Sequence, residues 1–195
     1  MTRLTDIDLP PDVLARARRG SECAQAAIYA AMAPATFGLI RRLAGSRALA
    51  EDLFQDTMMA VFQNLESFRA EAPFGAWVRQ IAVSKCLMYL RSPWHRARLR
   101  LSAEADSDGH WVESLLPATP GPEAESIDLE RALATLAPTA RAVVWLFEVE
   151  GYSHEEIAQS FGRSVSFSKS QLARAHVKLR QWFESPVDSQ TCTTL

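Results

Sequence analysis

Hydrophobic residues in this chain recur at helical spacing, in segments separated by glycine, serine and proline. Between residues 46 and 66, Ala50, Leu53, Phe54, Thr57, Met58, Val61, Phe62 and Leu65 follow an i, i+3, i+4, i+7 rule. The opposite face of that helix carries Glu51, Asp52, Gln55, Asp56 and Gln63, with Met59 among them. Phe74 to Arg91 is apolar around much of its circumference, which predicts a helix packed on two sides. Residues 22–44 are alanine-rich and helical, with Pro34 expected to kink them. A shorter helix opens at Pro10-Pro11-Asp12 and runs to about Arg19. Gly20-Ser21 and Gly45-Ser46 stop one helix and start the next, and Ser67 to Pro73 reads as a loop.

The pattern resumes at residue 127 with a helix that stops before Pro138, then a second that Gly151 ends. Ser153-His154-Glu155-Glu156 fits a capping box, with a Ser at the N-cap and a Glu three residues on. Ile157, Ala158 and Phe161 give a short apolar face, and Gly162 makes a tight turn. Ser164 caps a longer helix, in which Val165, Leu172, Ala175, Leu179 and Phe183 form a stripe. That last helix carries Lys169, Arg174, Lys178 and Arg180 and no acid. Short helix, glycine turn and cationic helix have the grammar of a helix-turn-helix, whose second helix enters the major groove. Ser166, Phe167, Lys169, Ser170, Ala173 and Arg174 would then face base edges. An ordinary helical hairpin with a solvated cationic face is the bland alternative.

Net charge is −2 over 195 residues, too near zero to announce a nucleic-acid partner, so the distribution matters more. Residues 91–100 hold four Arg and no acid, whereas residues 101–126 hold six acids and no Lys or Arg. The first reads as a basic tail bearing Trp94, fit to grip phosphates or simply to begin a linker. The second, with Pro117, Pro120 and Pro122, reads as a flexible acidic linker. The fold class is therefore all-α: two small helical domains on a tether, the C-terminal one a helix-turn-helix. The expected divisions are 1–100, a linker over 101–126, 127–184, and a disordered tail over 185–195.

Cys23, Cys86 and Cys192 are too widely spaced for a zinc site or a disulfide framework, and free thiols in a reducing cytoplasm are expected. No phosphate loop, paired catalytic carboxylates or Cys/His dyad spacing occurs, so neither catalysis nor a metal or cofactor is expected. His95, His110, His154 and His176 are scattered, and the latter two are expected as cap-region and surface residues. No apolar run approaching 18 residues is apparent, nor an N-terminal signal, so no membrane insertion is expected.

Several motifs resemble those of the extracytoplasmic-function sigma factors, small two-domain subunits of bacterial RNA polymerase. Ala50 to Thr57, AEDLFQDT, resembles that family's AEDLxQ(D/E)T helix. Phe68-Arg69 followed by Phe74, Trp77 and Ile81-Ala82 resembles its FR…F..W…IA segment. Leu136-Ala137-Pro138 with Arg141, then Glu150 to Ala158, resembles its LP..R…EG.S..EIA block, and Val165 to Ala175 its recognition helix. The resemblance implies a transcription initiation factor that binds core RNA polymerase and reads promoter DNA, single-stranded at −10 and duplex at −35.

On that resemblance Glu51, Asp52, Gln55, Asp56 and Met59 would bind core polymerase. Phe68, Arg69, Phe74, Arg79, Ser84, Lys85 and Arg91 would serve the −10 region. Ser166, Phe167, Lys169, Ser170, Gln171, Ala173 and Arg174 would serve the −35 region. The family is often held by an anti-sigma factor, so such a partner is expected too. Ser84 and Met88 depart from the usual Asn and Asp, and Phe167 and Gln171 from the usual Thr and Arg, so promoter preference does not transfer by analogy. Two other readings are a stand-alone helix-turn-helix regulator, repressor or activator, and a helical interaction protein that mimics a sigma factor. Neither regulon nor inducing signal is legible.

Overall fold

A computed structural model describes residues 3–93 and 124–184, and every regular element among them is helical. A 3₁₀ turn at Leu4–Asp6 precedes α1 (Pro11–Arg18), α2 (Glu22–Ala44) and α3 (Arg47–Gln63). A second 3₁₀ turn, Leu65–Ser67, leads through a loop to α4 (Phe74–Arg91). The second unit contains α5 (Ala124–Ala134), α6 (Pro138–Val144), α7 (His154–Phe161) and α8 (Val165–Glu184). Between α6 and α7 the chain widens into a π turn, Trp145–Val149, that periodicity did not foretell.

Local chemistry accounts for most boundaries. Pro11 and Pro138 stand at helix starts, where the missing N–H would be unpaired anyway. Gly45 (φ +75°) closes α2 in the left-handed region, its N–H donating to the Arg41 carbonyl. Pro34 lies within α2 and does not end it. Helix α5 begins at Ala124, so residues 124–126, expected in the linker, are helical. The remainder of that expected linker, most of the basic tail and the C-terminal tail lie outside the described residues.

Helices α2, α3 and α4 form a bundle, with α1 laid against α2. Its interior is wholly apolar in its largest members: Ile28, Met32, Ile40, Leu43, Val61 and Val78 are fully buried. Helix α2 is long and apolar enough to cross a membrane by length and composition, contrary to the sequence-based expectation. The outward positions Ala26, Ala27 and Ala30 raise its apolar content, while its other face forms the centre of the bundle. In the second unit α6, α7 and α8 close around Val143, Leu146 and Ile157.

The two units, expected from the sequence as helical domains joined by a linker, also touch. Helix α2 packs on α6, and α4 on α7. Charged side chains are set into this seam, within an apolar core that is continuous across both units. Arg41 and Arg42 both reach Glu130, Arg42 at 3.4 Å, and the Arg42 guanidinium lies 4.8 Å over the Trp145 ring. Burial lowers the Arg42 pKa against the pull of Glu130. Arg141 is 6% exposed, and burial brings its pKa down to about 10. Its guanidinium passes over Gly45, where a Cβ would fall 1.6 Å from Nη2.

Candidate nucleic-acid interface

Helix α3 presents the expected docking face. Glu51, Asp52, Gln55, Asp56 and Met59 are all exposed, Met59 at 58%, while Ala50, Leu53, Thr57, Met58 and Val61 point inward. The Thr57 hydroxyl is buried because it donates to the Leu53 carbonyl at 2.6 Å. Glu51 pairs with Arg47 at 2.9 Å, an exposed i, i+4 contact worth little. Asp52 and Asp56 have no ion-pair partner among the described residues, leaving their charge available to a cationic surface.

The loop after α3 and the adjoining face of α4 line a cleft of about 790 Å³. Arg69, Arg79, Gln80, Ser84 and Arg91 line one side, and Tyr152, Glu156, Gln159 and Ser160 of the second unit line the other. Arg69, Ser84 and Arg91 are exposed and Lys85 is half-buried. Three of the expected contacts are placed differently. Phe68 and Phe74 are buried, at 6% and 3% exposure, because their rings pack together with Trp77 at centroid distances of 5.1–5.5 Å. They support the loop from beneath and have no open face for a base.

Arg79 is engaged by the seam. Its Nη1 donates to the Glu150 carbonyl at 3.0 Å and lies 3.5 Å from that residue's carboxylate, and its guanidinium sits 5.1 Å over Tyr152. The π turn makes this possible. Its wide hydrogen bond, Glu150 N–H to the Trp145 carbonyl at 3.1 Å, brings the Glu150 carboxylate within 3.2 Å of the Trp145 indole N–H. Burial raises the Tyr152 pKa despite the neighbouring Arg79 cation.

The helix-turn-helix follows from its caps. Ser153 Oγ accepts from Glu156 N–H at 3.1 Å, and the Glu156 carboxylate accepts from Ser153 N–H at 2.8 Å. Gly162, at φ +61°, makes the turn, and the Ser164 hydroxyl accepts from Phe167 N–H at 3.3 Å to start α8. Ser166, Lys169, Ser170, Ala173 and Arg174 are exposed along one side of α8. Gln171 is half-buried, and so is Phe167, which packs on Phe161 at 5.8 Å. The Phe167 ring, expected to face base edges, packs inward here.

His154 stands in the cap region, immediately after the N-cap Ser153, and is half-buried there. It stacks on Phe147 at 4.4 Å, and its Nδ1 lies 3.0 Å from the hydroxyl of fully buried Ser168. One imidazole thus ties the π turn, α7 and α8 together. Sequence spacing held no signal for this, since the partners are 14 residues apart on different helices. His176 pairs with Glu148 at 3.0 Å on the exposed side.

The fold and these surfaces define a class: an all-α protein of two units, one of them a helix-turn-helix. The family model for Sigma-70 region 2 matches residues 28–96, and that for Sigma-70, region 4 matches residues 126–179. The RNA polymerase sigma factor CarQ of Myxococcus xanthus is 30% identical over 170 residues, covering 85% of this chain and 92% of that protein. The ECF RNA polymerase sigma-E factor of Haemophilus influenzae is 30% identical, covering 71% and 76%. The ECF sigma factor SigE of Mycolicibacterium smegmatis is also 30% identical, but this chain spans only 56% of its length. Among solved structures, the sigma factor RpoE of Bartonella quintana, crystallised with the anti-sigma factor NepR, superimposes with a TM-score of 0.53 at 27% identity, covering 82% of this chain and 96% of that one. The chain belongs to the extracytoplasmic-function sigma factors of RNA polymerase. It is a promoter-directing transcription initiation factor.

Proposed function

We propose that the acidic stripe on α3 docks this chain on a cationic helical surface of core RNA polymerase, and that its two units read separate promoter elements. The loop after α3, with Arg69, Ser84, Lys85 and Arg91, takes the single-stranded −10 strand. The exposed side of α8, with Ser166, Lys169, Ser170, Ala173 and Arg174, reads the −35 duplex from the major groove. The chain acts by binding, in the cytoplasm, and carries no reaction of its own. A partner protein of the kind bound to the Bartonella factor holds it when it is idle.

One observation supports the docking assignment above all: five residues chosen from an amphipathic pattern lie on one exposed stripe, with the apolar complement behind them. Asp52→Arg with Asp56→Arg should weaken core-polymerase binding at least about tenfold, by opposing like charges across the interface, with helix content unchanged. Unaltered affinity would remove the assignment. The stand-alone regulator is disfavoured, because it leaves that stripe and the whole first unit without a role.

The two readings also require a change of shape. Elements at −10 and −35 are about 25 base pairs apart, or about 85 Å at ~3.4 Å per pair. Helix α7, which precedes the −35 reader, lies against α4 of the −10 reader. Arg79, placed by sequence at the −10 strand, is held by Glu150 until the seam parts. Promoter binding therefore goes with separation of the units.

A further inference from the structure

The loop that carries Arg69 is fixed from an unexpected direction. Arg18, in the last turn of α1, lies 47 and 50 residues before the two carbonyls it binds. Its Nε donates to the Leu65 carbonyl at 3.2 Å and its Nη2 donates to the Phe68 carbonyl. The guanidinium also sits 6.0 Å from the Phe68 ring centroid. Helix α1 is a firm base for this reach. Ala17 is 2% exposed, the Gln25 side-chain amide donates to the Ala17 carbonyl at 3.3 Å, and Ser21 N–H donates to the Arg16 carbonyl at 3.1 Å.

Just beyond the clamp stands Ala70, at φ +57°, the one non-glycine residue with positive φ among those described. An alanine keeps that conformation only where its surroundings impose it. The flanking constraints are visible. Leu65 and Phe68 have their side chains in the core and their carbonyls on Arg18. Arg69, Glu71 and Ala72, on either side of Ala70, are exposed and line the cleft.

We propose that Arg18 is a positioning residue for −10 recognition, holding the loop in its strand-capturing shape before DNA arrives. The inference rests on the −10 reading given above. A planar guanidinium donates to two carbonyls in a fixed fork, which a lysine ammonium does not reproduce. A loop ordered in advance avoids the cost of ordering on binding, so the clamp acts on affinity for the strand and on promoter opening. It leaves the α3 stripe and α8 untouched.

The test uses full-length protein with core polymerase. The probes are a single-stranded oligonucleotide carrying the −10 sequence of a promoter the wild type uses, and a duplex with a fluorescent base analogue at −10 that reports melting. Arg18→Ala is expected to lower oligonucleotide affinity and opening about tenfold, with Arg18→Lys recovering only part. Ala70→Val, a β-branched residue where φ is positive, should give the same loss, and the double variant should lose little more than either. Core affinity and −35 duplex binding should stay at wild-type values in each. If Ala70→Val has no effect, the loop is not at the −10 strand and the underlying reading fails. If Ala70→Val acts but Arg18→Ala does not, the clamp alone fails. If Arg18→Ala lowers core binding and thermal stability as much as DNA binding, the residue is merely structural and the proposal is overturned.

Discussion

The interior of the first unit and the seam between the units join helices by opposite means. In the α2–α3–α4 bundle the contacts are mainly apolar: Ile28, Met32, Ile40, Leu43, Val61 and Val78 have no solvent exposure, and the one buried side-chain polar atom there without a hydrogen-bond partner among the described residues is the uncharged Thr36 hydroxyl. At the seam four arginines and two glutamates meet, and Nε of both Arg79 and Arg141 is buried without a hydrogen-bond partner among the described residues. Burying a charge is costly unless it is well paired, whereas apolar packing carries no such penalty. The first joint is thus suited to permanence and the second to parting. The proposed division of promoter reading between the units calls for both.

The sharpest way to break that contrast is to damage the permanent joint. Ile40→Ala should cost about 2–5 kcal/mol and lower the denaturant midpoint of the whole chain. Reversing Glu130 to Arg should instead open the seam without melting either unit. The Glu130 pairs are partly exposed and worth only about 1 kcal/mol after screening, but like charges then oppose Arg41 and Arg42. X-ray scattering should show a larger radius of gyration with an unchanged circular dichroism spectrum, and an unchanged radius would contradict the weak-seam account. Ser153→Ala removes a hydrogen bond within the second unit alone and should cost about 1 kcal/mol, with no change in the separation of the units.

The smallest effect concerns Cys86, whose thiol burial pushes up to about 12 from 9.0. Above pH 9 the unfolded chain loses that proton while the folded chain keeps it. Stability from this residue is therefore full below pH 9 and is lost as pH climbs toward 12. Cys86→Ala should flatten that part of the curve, and at pH 8 a thiol reagent should label exposed Cys23 well before Cys86.

The outer stripe of α3 was legible because amphipathic period and exposure are the same fact seen twice. The caps at Ser153, Gly162 and Ser164 were legible because each is a local transaction among neighbouring residues. What escaped detection lies across long sequence separations. Arg41, Arg42 and Glu130 look like any solvated charges, and only tertiary approach turns them into a seam. The resemblance set Phe68 and Phe74 at the −10 region, but a phenylalanine beside a loop is equally a plug, and the core claimed both. The π turn was hidden because one extra residue in five does not disturb an apolar run such as Val143 to Phe147. Arg18 had no motif at all, since its partners are backbone carbonyls, which every residue has.

Gly45 answers two demands with one hydrogen atom. The left-handed end of α2 favours it, and the guanidinium of Arg141 occupies the space a methyl group would need. The end of a helix in one half is thereby a keyhole for a side chain of the other. A single added carbon at this point would strain the left-handed backbone and also displace the end of the Arg141 side chain. The smallest residue in the chain thus serves both the end of a helix and the approach of the two units.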